Sequence, residues 1–250
     1  MPESLTVIVL VMTTFVAAGW VKGVVGLGLP VVAMGGLGLL MSPVEAAALL
    51  VVPSLFTNAW QLLAGPALRV VTRRLALMMF FICVGTALGI QFLTSGSSRW
   101  PSVALGSVLA LYALLSLLLP RFVVPAHLET RLSMVAGVVT GIVTGATGVF
   151  AVPAVPYLSA LGMTREELIQ ALGLSFTVST LALAVALGVS GNYSRAILLT
   201  SFSAVIPALL GMYVGQLLRN RLHPEVFRKW FFVAMLLVGV YMALRALATK

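Results

Sequence analysis

A glycine-rich apolar stretch occurs twice in this chain, 122 positions apart, and glycine at that density does not suit an unbroken helix. The first copy, residues 17–30, reads A-A-G-W-V-K-G-V-V-G-L-G-L-P. The second, residues 139–153, reads V-T-G-I-V-T-G-A-T-G-V-F-A-V-P. A shift of 122 carries Gly19 to Gly141, Gly23 to Gly145 and Gly26 to Gly148. The same shift carries Glu45 to Glu167, Arg73 to Arg195 and Gly89 to Gly211. The chain therefore reads as two related halves, 1–125 and 126–250, each opening on an interrupted segment.

The lipid bilayer is the expected solvent. Hydrophobic residues make up 61% and charged residues 8%, where a soluble domain carries about 25% charged. No charge occurs between Leu75 and Ser98, between Ser102 and Pro120, or between Val135 and Thr164. Runs of this length cross a hydrocarbon core of about 30 Å. The opening stretch, Leu5 to Val21, lacks the basic leader of a secretory signal, so it is expected to remain as a membrane segment. The net charge of +9 is scattered between apolar spans, which suits loops facing anionic lipid and not nucleic acid. Cys83 is the single cysteine, so no internal disulfide forms.

Ten apolar segments are expected in an all-α integral membrane protein, at roughly 5–21, 24–41, 44–64, 75–94, 102–119, 132–144, 146–162, 167–189, 196–217 and 230–247. Eight of them read as full spans. The glycine-rich segments near 24 and 146 either cross as broken helices or re-enter on one side. In both cases each half crosses an odd number of times, and an odd unit repeated in tandem is inverted. With Met1, Pro2 and Glu3 outside, 11 of the 15 basic residues fall inside and four (Arg99, Arg195, Arg245, Lys250) outside. Lys22, Arg121 and Arg221 are among the inside set, a positive-inside bias.

Ser42-Pro43-Val44-Glu45 and Thr164-Arg165-Glu166-Glu167 fit the S/T-x-x-E capping box, so both third segments start alike. Every acid in the chain is a glutamate near a segment end, and none is placed mid-membrane as a proton relay.

Lys22 lies between Gly19 and Gly23 in a long apolar stretch. Two placements fit it: a cation at depth beside broken helix ends whose free amides attract an anion, or a lysine snorkelling to the interface. The density of Gly23, Gly26, Gly28, Gly145 and Gly148 points to unwound turns lining a cavity. Gly19/Gly23, Gly137/Gly141/Gly145, Gly85/Gly89 and Gly211/Gly215 all have the small-xxx-small spacing of close helix packing, which is the alternative for Gly23 and Gly145 and the expected role of the last two pairs. Ser54, Thr57, Asn58 and Gln61 share one helix face, and Ser175, Thr177, Ser179 and Thr180 occupy the matching stretch of the other half. Asn58 and Gln61, with Ser175 and Thr177, are candidates for site lining; the alternative is interhelical hydrogen bonding. His127 and His223 lie between spans, and with Cys83 they offer no metal spacing. No histidine inside a span could activate Ser175, so neither catalysis nor a cofactor is expected.

The first signature, followed by M-S-P-V-E-A-A-A-L-L-V-V-P-S-L-F-T-N, resembles the TauE/SafE family of sulfite-exporter-like membrane proteins, and a weaker copy runs from Gly137 to Thr180. Thr144 stands in the second copy where the first has Lys22. The resemblance implies transport of small sulfur-containing or organic anions across the cytoplasmic membrane. The residues by themselves point to a small-anion carrier with its site at the repeat interface, or to a passive anion channel. A coupling proton or cation, the direction of transport and the oligomeric state are left open.

Overall fold

The computed structural model describes residues 5–95, 99–118, 123–219 and 224–248, and these are helical apart from short connections. Met1 to Glu3, Arg121, Arg221, His223 and Lys250, which entered the charge and loop expectations, lie outside the described residues. The helices are α1 (Leu5–Val25), α2 (Leu29–Leu37), α3 (Pro43–Leu63), α4 (Leu68–Thr94), α5 (Trp100–Leu118), α6 (Glu129–Thr147), α7 (Ala154–Ser159), α8 (Arg165–Val189), α9 (Arg195–Ser203), α10 (Val205–Leu218) and α11 (Pro224–Ala248). Among the described residues, seven stretches are long and apolar enough to cross a membrane: α1, α3, α4, α5, α8, α11 and the α9–α10 run. The chain is an all-α integral membrane protein.

The breaks fall where left-handed glycines stop the helices. α1 runs through Gly19 and Gly23 and ends only at Gly26, whose φ of 82° few side chains tolerate. α6 ends the same way at Gly148, φ 73°. Each cap is closed by an equivalent bond: Gly26 N–H donates to Lys22 O at 2.7 Å, and Gly148 N–H to Thr144 O at 2.8 Å. The second segments then continue as short helices. At nine and six residues, α2 and α7 are about 13 and 9 Å long, too short to span as helices. α2 nonetheless doubles back beside α1, because Gly28 sits against Val21 and Gly36 against Thr14. The following residues, Gly38 to Met41, reach Arg99, Ser102 and Arg245 at the far end of the bundle. The first glycine-rich segment thus returns across the bundle as a break plus a short helix and is no hairpin confined to one end.

Helix pairing follows the small residues. α1 packs on α10 and α6 on α4, each pair running parallel. A Cβ at Gly19 or Gly23 would strike the carbonyls of Ala208 or Met212, and one at Gly141 or Gly145 the carbonyls of Ile82 or Thr86. From the other side, Gly211 and Gly215 back onto the carbonyls of Val16 and Trp20, as Gly85 and Gly89 do onto those of Val138 and Ile142. Gly23 and Gly145 are therefore close-packing residues, and the expectation that they belong to unwound turns is corrected. The contacts also show that the fourth segments match at a spacing of 126: Gly211 is the counterpart of Gly85, not of Gly89. The α8-to-α9 stretch is longer than the α3-to-α4 stretch, which shifts the register. α5 and α11 cross at Gly106 and Gly239, each against the other's backbone.

Proline shapes two of the spans. Pro53 inside α3 has no N–H and frees the Leu49 carbonyl. Ser201 of α9 donates its hydroxyl to that carbonyl at 2.7 Å. Ser201→Ala is expected to cost about 1–3 kcal/mol, the penalty of an unsatisfied buried carbonyl, seen as a lowered midpoint in thermal unfolding. Pro207 ends the α9 ladder in the same way, and the span bends at Ala204.

Charge separates along the bundle. Arg69, Arg73, Arg74, Arg131, Arg165, Arg219, Arg228 and Lys229 gather at the end where α4, α6, α8 and α11 begin. Among the described residues, Arg99, Arg195 and Arg245 mark the other end. Arg74 forks onto Glu129 at 2.6 and 2.8 Å, tying the halves together and holding the Glu129 carboxyl below its ordinary range. An exposed pair of this kind contributes little to stability.

Candidate functional site

Lys22 does not snorkel. It is 3% exposed, and its ammonium turns inward from α1 onto α3. Nζ donates to Thr57 Oγ1 at 3.1 Å and to Asn58 Oδ1. Asn58 continues the chain, donating from Nδ2 to Thr180 Oγ1 of α8 at 3.2 Å. Thr180 in turn donates to Phe176 O at 2.6 Å, and Thr57 to Pro53 O at 2.9 Å. The bonds run in one direction in this arrangement: α8 accepts from α3, and α3 accepts from the lysine of α1. Asn58 and Thr180 stand 122 positions apart, the spacing of the repeat itself.

Gln61, one turn below, bridges differently. Its Nε2 donates to Gly26 O and to Ile169 O, both at 3.1 Å, so it clamps the α1 break to α8. Gln170 performs a similar service at the end of α3, donating to Leu62 O and Gly65 O and accepting from Ala67 N–H. These amides hold the scaffold around the lysine. The sequence did not single out Gln170; its position one turn from the capping box, inside an apolar helix, was the available signal.

The other expected residues divide. Ser175 is fully buried with its hydroxyl unpartnered, whereas Thr177 is half-buried and bonds back to Gly173 O in its own helix. Among the described residues no hydrogen bond joins either to Lys22. The amides of Gly26 and Gly148 are committed to the helix caps, and Gly23 and Gly145 sit within helices, so these four do not supply free donors. Donors remain at the start of α2, where Gly28 is left-handed, Pro30 lacks an N–H, and Val32 bonds Gly28 O; Leu29 and Val31 hold first-turn amides with no intrahelical partner.

The polar seam has unused capacity. Among the described residues, Ser54 Oγ, Gln61 Oε1, Thr140 Oγ1, Ser175 Oγ and Ser179 Oγ are buried without a hydrogen-bond partner. Buried polar atoms normally have one, and groups of this kind are where a polar guest or ordered water is accommodated. Ser54 lies one turn from Asn58, Ser175 one turn from Ser179, and Thr140 one turn from Thr144. The charged neighbourhood is positive as well. Arg219 is the side chain nearest the open face of Gly26, and its guanidinium is held below its ordinary range by burial and by the like charge of Arg165.

Among the described residues no ion pair joins either of these cations to a carboxylate. Glu45 and Glu167 are locked in their capping boxes, where each accepts from the N-cap amide. Glu45→Gln and Glu167→Gln are accordingly expected to cost less than about 1 kcal/mol and to leave the pH profile of anion uptake unchanged. Thermal melts and uptake assays of the two variants check this.

Chemically, the arrangement is one buried cation, neutral oxygen and amide partners from both halves, and spare hydroxyls. It can hold a small anion. A family model described as sulfite exporter TauE/SafE matches residues 11–242 of the chain. Comparison with curated proteins and with solved structures gives no match.

Proposed function

The chain belongs to the sulfite exporter TauE/SafE family of membrane transporters, and we propose that it is a secondary transporter moving sulfite, organosulfonates or related small anions by alternating access. The observation that carries this reading is the Lys22–Asn58–Thr180 chain. It gathers a buried cation from α1 and polar partners from α3 and α8 at one point. An anion there would meet the ammonium, the α2 amides and the unpartnered hydroxyls. The near-complete burial of Lys22 supports a carrier whose centre is closed to both ends in this conformation.

The halves 1–125 and 126–250 act in this reading as inverted repeats, with the Asn58–Thr180 contact on the axis between them. The paired contacts of α1 with α10 and of α6 with α4 support that symmetry. The end rich in arginine faces the cytoplasm, by the positive-inside bias, and the membrane is the cytoplasmic one. Rocking one half against the other would expose Lys22 alternately.

Counterflow in proteoliposomes tests the reading. Vesicles loaded with unlabelled sulfite or isethionate should transiently accumulate the labelled anion, with saturation. Conductance without saturation or exchange would identify a passive channel and overturn it.

A further inference from the structure

We propose that Lys22 carries a proton together with the anion, so that the transported unit is one monoanion and one proton. This rests on the reading of Lys22 as part of the anion site.

The count of acceptors is the first ground. An ammonium has three N–H donors and no acceptor, whereas a neutral amine has two donors and a lone pair. Among the described residues Nζ has two acceptors, Thr57 Oγ1 and Asn58 Oδ1. Both act as acceptors toward Nζ in this arrangement. Asn58 has committed its NH2 to Thr180, and the Thr57 hydroxyl hydrogen points to Pro53 O or Ser54 O. The protein thus satisfies the donors of an amine and leaves the third donor of an ammonium for a guest oxygen.

The second ground is charge. Both partners are neutral, and among the described side chains no titratable acid faces Nζ from the elements packed on α1; Glu225 of α11 lies outside the described side chains. α2 carries no titratable residue. α10 presents Tyr213, which is exposed, and ends at Arg219. α3 has only Glu45, at its far end in a capping box. α11 brings exposed Arg228 and Lys229 near its start, and Tyr241 and Arg245, also exposed, near its end. α8, which meets the site through Thr180, has Arg165, Glu166 and Glu167 in its first turn. A buried ammonium without a counter-charge is costly, while the same ammonium against a monoanion is a neutral pair.

These grounds define the cycle. With the site open to one side, the Nζ lone pair takes a proton from water as the anion binds. The pair crosses with no net charge. On the other side the N–H bond breaks, the proton passes to water, the electron pair stays on nitrogen and the anion leaves. The amine then returns with its two hydrogen bonds intact. The protonated site without anion is the penalised form, which prevents proton leak.

The experiment uses the full chain in proteoliposomes with isethionate, a sulfonate that stays a monoanion throughout. Pyranine in the lumen reports protons, and labelled isethionate reports the anion. One proton is expected per anion, and an inward gradient of one pH unit should accumulate isethionate about tenfold. A potassium–valinomycin potential should not alter that accumulation. Lys22→Arg, a fixed charge, should lose the proton movement in whatever counterflow exchange it retains. Saturable uptake with constant lumen pH and voltage-driven accumulation overturns the coupling and leaves the transporter reading standing. Proton movement persisting in an exchanging Lys22→Arg also overturns it. Absence of counterflow in the parent removes the anion site and the coupling with it. If Lys22→Arg does not fold, the proton-to-anion ratio of the parent decides.

Discussion

Lys22→Ala is expected to lower saturable anion uptake about 100-fold or more while leaving a folded, monodisperse protein. A charge-assisted hydrogen bond contributes about 1.5–3 kcal/mol, and each 1.4 kcal/mol is a factor of ten. Exclusion of water around Lys22 places the effect at the upper end. The fold loses less. Removing the amine leaves Thr57 Oγ1 and Asn58 Oδ1 without their donor, a cost of about 1–3 kcal/mol, against the extensive packing of α1 on α10. Lys22→Met, which keeps most of the volume, should transport as poorly as Lys22→Ala and unfold at a higher temperature. Near-parental flux in either variant would remove Lys22 from the site.

The second large effect lies in the glycines that look alike in sequence. Gly23→Leu and Gly145→Leu are each expected to prevent recovery of folded protein. A side chain at Gly23 would enter the backbone of α10 at Met212 and Gly215, and one at Gly145 the backbone of α4 at Thr86. Neither obstacle is a side chain that can turn aside, so parallel helices would have to separate. Overpacking of an ordinary core costs about 1–3 kcal/mol; here two whole interfaces are at stake. Gly26→Ala makes the contrast. Arg219, at 3.9 Å, is the nearest group to a Cβ there, so the cost is the left-handed backbone alone, about 1–2 kcal/mol. Detergent-extracted yield, size-exclusion profiles and thermal midpoints of the three variants separate packing from conformational cost.

That contrast explains which features the sequence makes legible. Glycine spacing of three or four serves both close packing and helix breaking, so the list 23, 26, 28, 145 and 148 mixes the two. Only the partner helix distinguishes them, and the partner is remote in sequence. The capping boxes are local patterns, and both appear as expected. The Asn58 face follows from helical periodicity. Its counterpart Thr180 lies at the repeat spacing of 122, but composition alone does not say which of Ser175, Thr177 and Thr180 meets Asn58. The depth of Lys22 depends on how far α1 continues past Gly19 and on the inward turn of its side chain, both tertiary. The Ser201–Leu49 bond was hidden for the same reason: Pro53 announces a free carbonyl, but its partner comes from α9, well over a hundred residues away.

The most direct measurement is a structure of the protein in lipid nanodiscs with bound isethionate. The sulfonate is expected beside α1 with an oxygen about 2.7–3.2 Å from Lys22 Nζ, between Asn58 and the first amides of α2. Isethionate bound elsewhere, or the Lys22 side chain extended to the headgroups, would contradict a buried anion site at the meeting of the two halves.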